Sequence, residues 1–430
     1  MRKILLLAAA VLMTVSGCSQ NKPKGTVVVT DPASQLLSLE ASVRDNYQIY
    51  QVNPELFGTS GQLKAVQERL DDIRALGTDI LYLMPIYPEG TLKGIGSPYC
   101  IRDYNGVRSG CGSLDDVKAL VSAAHAKGMK VMFDWVANHT AWDHPWIEEH
   151  PDWYEKDKNG NIVYPTKDGA WTDVAQLDFS AEALHEAMIE AMCRWVSEAD
   201  IDGYHCDYAH GVPDAFWKKA SAALKAMKPG FLMLAESDFG YLFDAGFDII
   251  YDRGLKAAAK RLFNGGKTAD FAAAYAATLG QTPEGKTKLY FVTNHDDASE
   301  ASPVAEFKGK DGAFAAFSLL AALNGSPMLY SSQETGYDKG INFFNPLSIN
   351  WNADPDLTAR YREVLSALQK ISRDTACRIY ASERVVFVYY AGSVLVGVNV
   401  SGEPQTAAMP PLKLSDKESF AAYEVKIWNL

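Results

Sequence analysis

The stretch Asp202-Gly203-Tyr204-His205-Cys206-Asp207 decides the fold prediction, because it has the form of a short buried strand that ends in a carboxylate. Amphipathic segments at residues 181–199 and 214–227 flank it, as helices flank a strand of a parallel sheet. Three further apolar runs end in polar residues in the same way, at residues 131–134, 232–236 and 290–296. If these strands belong to one barrel, their carboxylates meet at the C-terminal rim, where barrel enzymes hold their active sites.

The pattern around this stretch predicts an α/β fold, a (β/α)8 TIM barrel. Eight strand-like runs alternate with helix-like segments, near residues 48–52, 80–85, 129–134, 203–207, 232–236, 248–252, 289–293 and 328–330. The structural alternative is an open doubly wound sheet. It is disfavoured because no glycine-rich phosphate loop follows the first strand.

The barrel is predicted to consist of residues 45–134 and 180–374. Residues 135–179 interrupt the alternation with five tryptophans and several turn signals, which predicts an inserted subdomain after the third strand. From residue 375 to residue 430 the pattern changes to short alternating strands. This segment is predicted to form a small C-terminal antiparallel β-sandwich domain.

The first eighteen residues resemble a bacterial lipoprotein signal. Arg2 and Lys3 precede an apolar core at residues 4–15, and small residues lead to Cys18. Cys18 would be the lipidated first residue of the mature chain, with residues 19–44 as a linker. The alternative is an ordinary cleaved signal peptide. The pattern therefore predicts an exported protein of the bacterial cell envelope, attached to a membrane through a lipid anchor.

Charge and cysteine content restrict the partners and the covalent links. The net charge of −12 argues against a nucleic acid partner, which requires a basic surface. Besides Cys18 the chain has five cysteines, so at least one stays unpaired or intermolecular. Cys100 and Cys111 flank a glycine-rich loop that a disulfide could close. Nothing in the sequence determines the oligomeric state.

Three carboxylates follow predicted strands, Asp207, Glu236 and Asp296, and this is the set that a retaining glycosidase needs. One carboxylate attacks the anomeric carbon and a second group protonates the departing oxygen. A third negative charge stabilises the cationic transition state.

Four segments carry a resemblance to the α-amylase family of glycoside hydrolases. Asp134-Trp135-Val136-Ala137-Asn138-His139 resembles the first conserved region of that family. Residues 203–207, 235–237 and 292–296 resemble the second, third and fourth regions, in the same order. The resemblance covers about residues 47–371 and implies the same barrel. It implies Asp207 as nucleophile, Glu236 as general acid/base and Asp296 as transition-state stabiliser.

The resemblance also implies residues that bind the sugar beside the cleaved bond. His139 and His295 match histidines that bond sugar hydroxyls, and Tyr99 matches a tyrosine that stacks on the ring. The family places an arginine two residues before the nucleophile, where this chain has His205. We predict that His205 serves the substrate site by donating a hydrogen bond to Asp207, with fewer donors and a pH-dependent charge.

Asn138 and Asp178 match two oxygen ligands of the structural calcium ion of the family. Hard cations prefer such oxygens, so the resemblance implies a Ca²⁺ site between barrel and insertion. The alternative is a plain hydrogen bond between the two side chains.

The function predicted is retaining hydrolysis of α-glucosidic bonds in starch-derived or related α-glucans, with an oligosaccharide or α-glucan as the binding partner. One alternative is a non-catalytic carbohydrate-binding lipoprotein on the same fold, because His205 replaces the family arginine. Another is an α-glucosyl transferase. A metal hydrolase is disfavoured because the sequence has no His-x-x-x-His helix.

Overall fold

The computed structural model describes residues 25–30, 37–41, 46–166, 171–371, 375, 377–412 and 414–430. The predicted signal peptide, with Cys18, lies outside these residues. In this part of the chain no helix is both long enough and apolar enough to cross a bilayer.

The strands, in chain order, are β1 (Gly25–Thr30), β2 (Leu37–Ala41), β3 (Ile49–Val52), β4 (Ile80–Leu83), β5 (Lys130–Val136), β6 (His139–Ala141), β7 (Val174–Gln176), β8 (Gly203–Asp207), β9 (Leu232–Ala235), β10 (Ile249–Tyr251), β11 (Thr287–Tyr290), β12 (Ser326–Tyr330), β13 (Cys377–Ala381), β14 (Val385–Tyr390), β15 (Val394–Asn399), β16 (Gln405–Ala408), β17 (Lys417–Phe420) and β18 (Val425–Asn429). The α-helices are α1 (Gln62–Glu68), α2 (Leu70–Ala75), α3 (Leu114–Ala126), α4 (Trp146–Glu149), α5 (Glu182–Ala199), α6 (Asp214–Met227), α7 (Arg253–Phe263), α8 (Thr268–Gly280), α9 (His295–Glu300), α10 (Pro303–Glu306), α11 (Lys310–Ala322) and α12 (Pro355–Gln369). Short 3-10 helices lie at Pro54–Phe57, Pro151–Trp153, Ala209–Gly211, Gly240–Phe243 and Gln333–Thr335.

Eight parallel strands close into a barrel in the order β3-β4-β5-β8-β9-β10-β11-β12, which confirms the (β/α)8 prediction. The strands are apolar runs because helices cover the outside and side chains fill the inside. Their inward residues form one buried cluster that includes Ile49, Met132, Leu234 and Leu289. The barrel interior is therefore a packed core that carries polar groups at its C-terminal rim.

Helix boundaries follow local signals. At the start of α3, Ser113 accepts from the backbone N–H of Asp116, while the Asp116 side chain accepts from Ser113. Gly128, at φ 73°, follows the end of this helix, where a left-handed residue suits glycine. Helices α1 and α2 are separate elements that meet at Arg69. The Arg69 guanidinium stacks on Trp351 at 4.5 Å.

The insertion after the third barrel strand carries its own small sheet. Strands β6 and β7 pair antiparallel, with His139 opposite Gln176. Helix α4 and a 3-10 helix connect them and contribute Trp146 and Trp153, whose rings meet edge to face at 5.1 Å. The insertion directly follows β5 and therefore lies beside the C-terminal rim of the barrel.

The C-terminal region contains an antiparallel sheet in the order β1-β2-β13-β14-β15-β18. The hairpin of β16 and β17 packs on it through Ala407 and Phe420 against Phe387 and Leu395, which gives two layers. The linker prediction for residues 19–44 is wrong for β1 and β2, because β2 pairs with β13 and β1 pairs with β2. The run of β-branched residues in β1 favours this strand conformation.

The five cysteines in the described part of the chain are free thiols. The disulfide considered between Cys100 and Cys111 is absent, since each thiol has another partner. Cys100 donates to the carbonyl of Asp173 at 3.3 Å, and Cys111 donates to Gln62 Oε1 at 3.2 Å.

Candidate active site

The three predicted carboxylates meet at one rim of the barrel. Asp207 ends β8, Glu236 directly follows β9, and Asp296 lies in the first turn of α9, after β11. All three line a cleft of about 530 Å³. Carboxylate atoms of Glu236 and Asp296 and a ring nitrogen of His295 lie within 4.8 Å of one another. The strand ends therefore converge as the barrel topology requires.

Burial and repulsion from neighbouring carboxylates raise the proton affinity of Asp207 and Glu236. The pKa of Asp207 is raised well above its usual range by burial and then by the negative charges of Glu236, Asp134 and Asp296. Burial, with Asp296 next, raises the pKa of Glu236 to about 7, although His295 and Arg253 oppose the rise. The cleft therefore retains a proton near neutral pH.

His295 and Tyr99 form one wall of the cleft. His295 Nδ1 accepts from Gln51 Nε2 at 3.0 Å, so the ring proton is on Nε2, which lies 3.4 Å from Asp296 Oδ1. The ring of Tyr99 stacks on His295 at 5.1 Å, and its hydroxyl donates to Asp134 Oδ2 at 3.0 Å. Both rings therefore have fixed orientations before any ligand enters.

His139 lies in the same cleft and is 4% exposed. Burial lowers its pKa to about 4, so the imidazole is neutral at pH 7 and offers one donor and one acceptor. Its ring lies 5.7 Å from the ring of Trp171, which belongs to the insertion. The structure thus brings together Tyr99, His139 and His295, as the sequence predicts.

The prediction for His205 is wrong. Its Nδ1 donates to Asp134 Oδ1 at 2.8 Å and its Nε2 lies 3.0 Å from the hydroxyl of Tyr251. Tyr82 bonds both members of the pair, at 2.6 Å to Asp134 and 2.9 Å to His205. His205 is 0% exposed and is absent from the cleft lining, so it neither contacts substrate nor donates to Asp207. In the β5–β8 register it faces Asp134, one inward position below Asp207.

Sequence reasoning missed Arg253, which also lines the cleft. Its Nη2 donates to Glu236 Oε1 at 2.8 Å, and Nη1 lies 3.5 Å from Asp238 Oδ1. Arg253 begins α7, two residues after the end of β10. Its place just past a barrel strand is the signal that could have identified it, because such positions form the catalytic rim.

The backbone reverses directly after the nucleophile position. Tyr208 has φ 44°, a left-handed conformation that is strained for an aromatic residue. Its ring packs edge to face on Trp171 at 5.1 Å and lies 4.2 Å from His210. These contacts hold the turn that ends β8 and directs the chain away from Asp207.

The residues present do not fit the calcium site that the resemblance implies. The Nε2 of Gln176 donates to Asn138 O at 3.0 Å, Asn138 Oδ1 at 3.3 Å and Leu177 O at 2.9 Å. Because carbonyl oxygens only accept, the atom between them is an amide nitrogen. Asp178 instead accepts from the backbone N–H of Ser180 at 2.9 Å, so the alternative Asn138–Asp178 hydrogen bond is also absent from the described contacts. An NH₂ group thus fills the place of a cation.

Comparison with known proteins supports the barrel fold and the family resemblance. The family model of the α-amylase catalytic domain matches residues 38–228. A maltogenic α-amylase from Thermotoga neapolitana, AmyB, has a similar structure with a TM-score of 0.77 and 26% identity, covering 84% of this chain and 87% of that one.

Two curated relatives differ in the reaction that their names state. α-Amylase MalA of Haloarcula japonica is 32% identical over 289 residues, which are 63% of this chain and 41% of that protein. An α-1,4-glucan:maltose-1-phosphate maltosyltransferase of Rhodospirillum rubrum is 34% identical over 246 residues, 52% of this chain and 34% of that protein. The chain thus spans less than half the length of these two relatives.

Proposed function

This chain belongs to the α-amylase family of glycoside hydrolases, and from that premise we propose that it hydrolyses α-glucosidic bonds of α-glucan oligosaccharides with retention of configuration. The observation that carries the proposal is the meeting of Asp207, Glu236 and Asp296 in one cleft. A pKa of about 7 supports Glu236 as the acid, since the group is protonated at the start of the reaction and can still release its proton.

The chemistry proceeds in two displacements. Asp207 attacks the anomeric carbon while Glu236 gives its proton to the leaving glycosidic oxygen, which forms a glycosyl ester on Asp207. Glu236, now ionised, takes a proton from water, and the resulting hydroxide opens the ester and frees Asp207. Asp296 stabilises the cationic transition state, and with His139 and His295 it is suited to hold sugar hydroxyls.

Charge in the cleft favours a neutral glycan over a sugar phosphate as substrate. The described lining contains four carboxylates, Asp173, Asp207, Glu236 and Asp296. Against them stands one guanidinium, Arg253, which is already bonded to Glu236. A phosphate leaving group would meet net negative charge, which costs binding free energy.

The test is product analysis with purified protein. Maltoheptaose, pullulan and trehalose are incubated with the wild type and with Asp207→Asn, and products are separated by chromatography. We expect shorter maltooligosaccharides from the wild type and a loss of about 10⁴-fold or more in the variant. Products longer than the substrate would show glucosyl transfer. Binding of maltoheptaose without any cleavage would contradict hydrolysis and favour the non-catalytic alternative.

We also propose that Cys18 carries a lipid that attaches the protein to the bacterial envelope, and the support for this is the sequence pattern alone. Cys18→Ala should move the protein from the membrane fraction to the soluble fraction, and labelled fatty acid should stay with the wild type only. Label in neither protein, with both soluble, would contradict the anchor.

A further inference from the structure

We propose that Arg253 is the positioning residue for the general acid. It holds Glu236 in place and supplies a fixed positive charge there, whereas the cleft has no such charge beside Asp207. The inference rests on the proposed function for its kinetic consequence, but its physical content is the contact between one guanidinium and one carboxyl group. Nη2 of Arg253 donates to Glu236 Oε1 at 2.8 Å. Glu236 is 7% exposed and Arg253 43% exposed, so the acid is covered and the arginine forms part of the cleft surface.

The charge of Arg253 is not duplicated elsewhere in the cleft. Among the described residues, no lysine or arginine lies within 4 Å of the carboxylates of Asp207 or Asp296. His205, two residues before Asp207, is bonded to Asp134 and Tyr251 instead. The guanidinium that this family is expected to direct at the nucleophile is therefore absent there, and the one that the cleft contains is directed at the acid.

Arg253 is itself held from three sides. Its backbone N–H donates to Asp238 Oδ1 at 3.3 Å, and its Nη1 lies 3.5 Å from the same oxygen. The guanidinium lies over the ring of Tyr251 at 4.8 Å, which is favourable for a cation on an aromatic face. The hydroxyl of Tyr251 meets His205 Nε2 at 3.0 Å. The arginine therefore sits on the buried polar residues below the cleft and has a defined orientation.

The consequence concerns the proton that Glu236 gives away. When the leaving oxygen takes it, a carboxylate forms in contact with Arg253, and the guanidinium stabilises that negative charge. Without the arginine, only His295 would oppose the effects of burial and of the Asp296 charge on Glu236, and the proton of Glu236 would be held more tightly. Arg253 thus offsets part of the repulsion among the carboxylates.

The test is a direct titration of Glu236 by ¹³C NMR on protein labelled at the glutamate carboxyl groups, with Glu236→Gln identifying the signal. Arg253→Met removes the charge with little change in length, and Arg253→Lys keeps the charge but loses the forked donors. Arg261→Met on the exposed face of the same helix is the matched control. Thermal melting establishes that each variant is folded.

We expect the Glu236 midpoint to rise by about one pH unit in Arg253→Met, to rise less in Arg253→Lys, and to stay unchanged in Arg261→Met. The alkaline limb of kcat/KM should move upward with it while kcat falls. An unchanged Glu236 midpoint in folded Arg253→Met would overturn the inference. If the wild type cleaves no glucan, the proposed function fails, but the NMR titration still decides the role of Arg253.

Discussion

Two carboxylate–imidazole clusters lie at successive levels of the barrel, and they differ in whether hydrogen-bond donors balance their negative charge. The rim cluster consists of Asp207, Glu236, Asp296 and His295, and it opens to the cleft. The buried cluster, one inward position lower in the β5–β8 register, consists of Asp134, His205, Tyr82, Tyr99 and Tyr251.

The difference lies in how many donors each carboxylate has. In the buried cluster, Asp134 accepts from His205 Nδ1 and from the hydroxyls of Tyr82 and Tyr99, so both its oxygens are satisfied without solvent. In the rim cluster Arg253 contacts Glu236 and His295 contacts Asp296, whereas neither of these groups contacts Asp207, so the negative charge is not balanced. The buried cluster therefore stabilises the fold, whereas the rim cluster retains unbalanced negative charge that can stabilise a positively charged transition state.

The largest effect is expected from breaking the buried cluster. His205→Ala leaves the buried carboxyl group of Asp134 without its imidazole donor, which should lower the free energy of unfolding by about 3–5 kcal/mol. Urea denaturation measures it. Glu186→Ala, at an exposed glutamate of α5, should cost less than about 0.5 kcal/mol. A loss below about 1 kcal/mol in His205→Ala would show that the tyrosines alone satisfy Asp134.

The opposite sign is expected at the rim. Folded Glu236 keeps its proton to about pH 7, whereas the unfolded chain releases it near the ordinary value of 4.5. Between these values the folded protein binds more protons, so this group lowers stability as pH rises. Glu236→Gln should therefore match the wild type near pH 4 and be more stable by about 2–3 kcal/mol above pH 7.

Urea denaturation at pH 4, 6 and 8 measures the pH dependence of this stabilisation. Glu186→Gln, at an exposed glutamate of α5, should show no such pH-dependent gain. A constant difference between Glu236→Gln and the wild type across pH would contradict the raised pKa.

A smaller effect is expected where the two clusters touch. Tyr99 stacks on His295 in the rim cluster and donates to Asp134 in the buried one. Tyr99→Phe keeps the ring and loses the hydrogen bond, so stability should fall by about 1 kcal/mol with KM nearly unchanged. Tyr99→Ala should raise KM as well, because the stacking surface is lost. Equal KM values in both variants would remove Tyr99 from the sugar site.

The smallest effect is expected on chelation. Because Gln176 Nε2 already bonds three oxygens, EDTA should leave the melting temperature unchanged within about 1 °C. Gln176→Glu places a carboxylate among the same oxygens, so Ca²⁺ should raise the Tm of that variant only. A Tm of the wild type that falls with EDTA would mean that a cation binds despite the amide.

Much of the barrel could be predicted because its signals are local. Buried parallel strands are apolar runs, and the ends of α3 carry local signals in Ser113 and Gly128. The pairing of β2 with β13 could not be predicted, since it joins residues distant in the chain. A strand that pairs only with a distant segment of the chain can have the same local sequence pattern as a polar linker.

The site residues that lie at the ends of barrel strands could be predicted from the sequence. Asp207, Glu236 and Asp296 follow strands, and parallel topology alone brings them together. Side chains alternate along a strand, so His205 and Asp207 both lie on the inner face of β8. The depth of His205 in the barrel depends on its pairing with Asp134 of β5. Arg253 belongs to none of the matched segments, so its role follows only from its contacts.

The shared sheet of β1, β2 and β13 has a consequence for how the chain folds. During synthesis β2 emerges long before Cys377–Ala381, so its ladder cannot form until nearly the whole polypeptide has left the ribosome. Such distant pairing is slow, because loop closure precedes any gain from contacts. Completion of this sheet should therefore be a late event in folding, and its kinetics would report whether both ends of the polypeptide have come together.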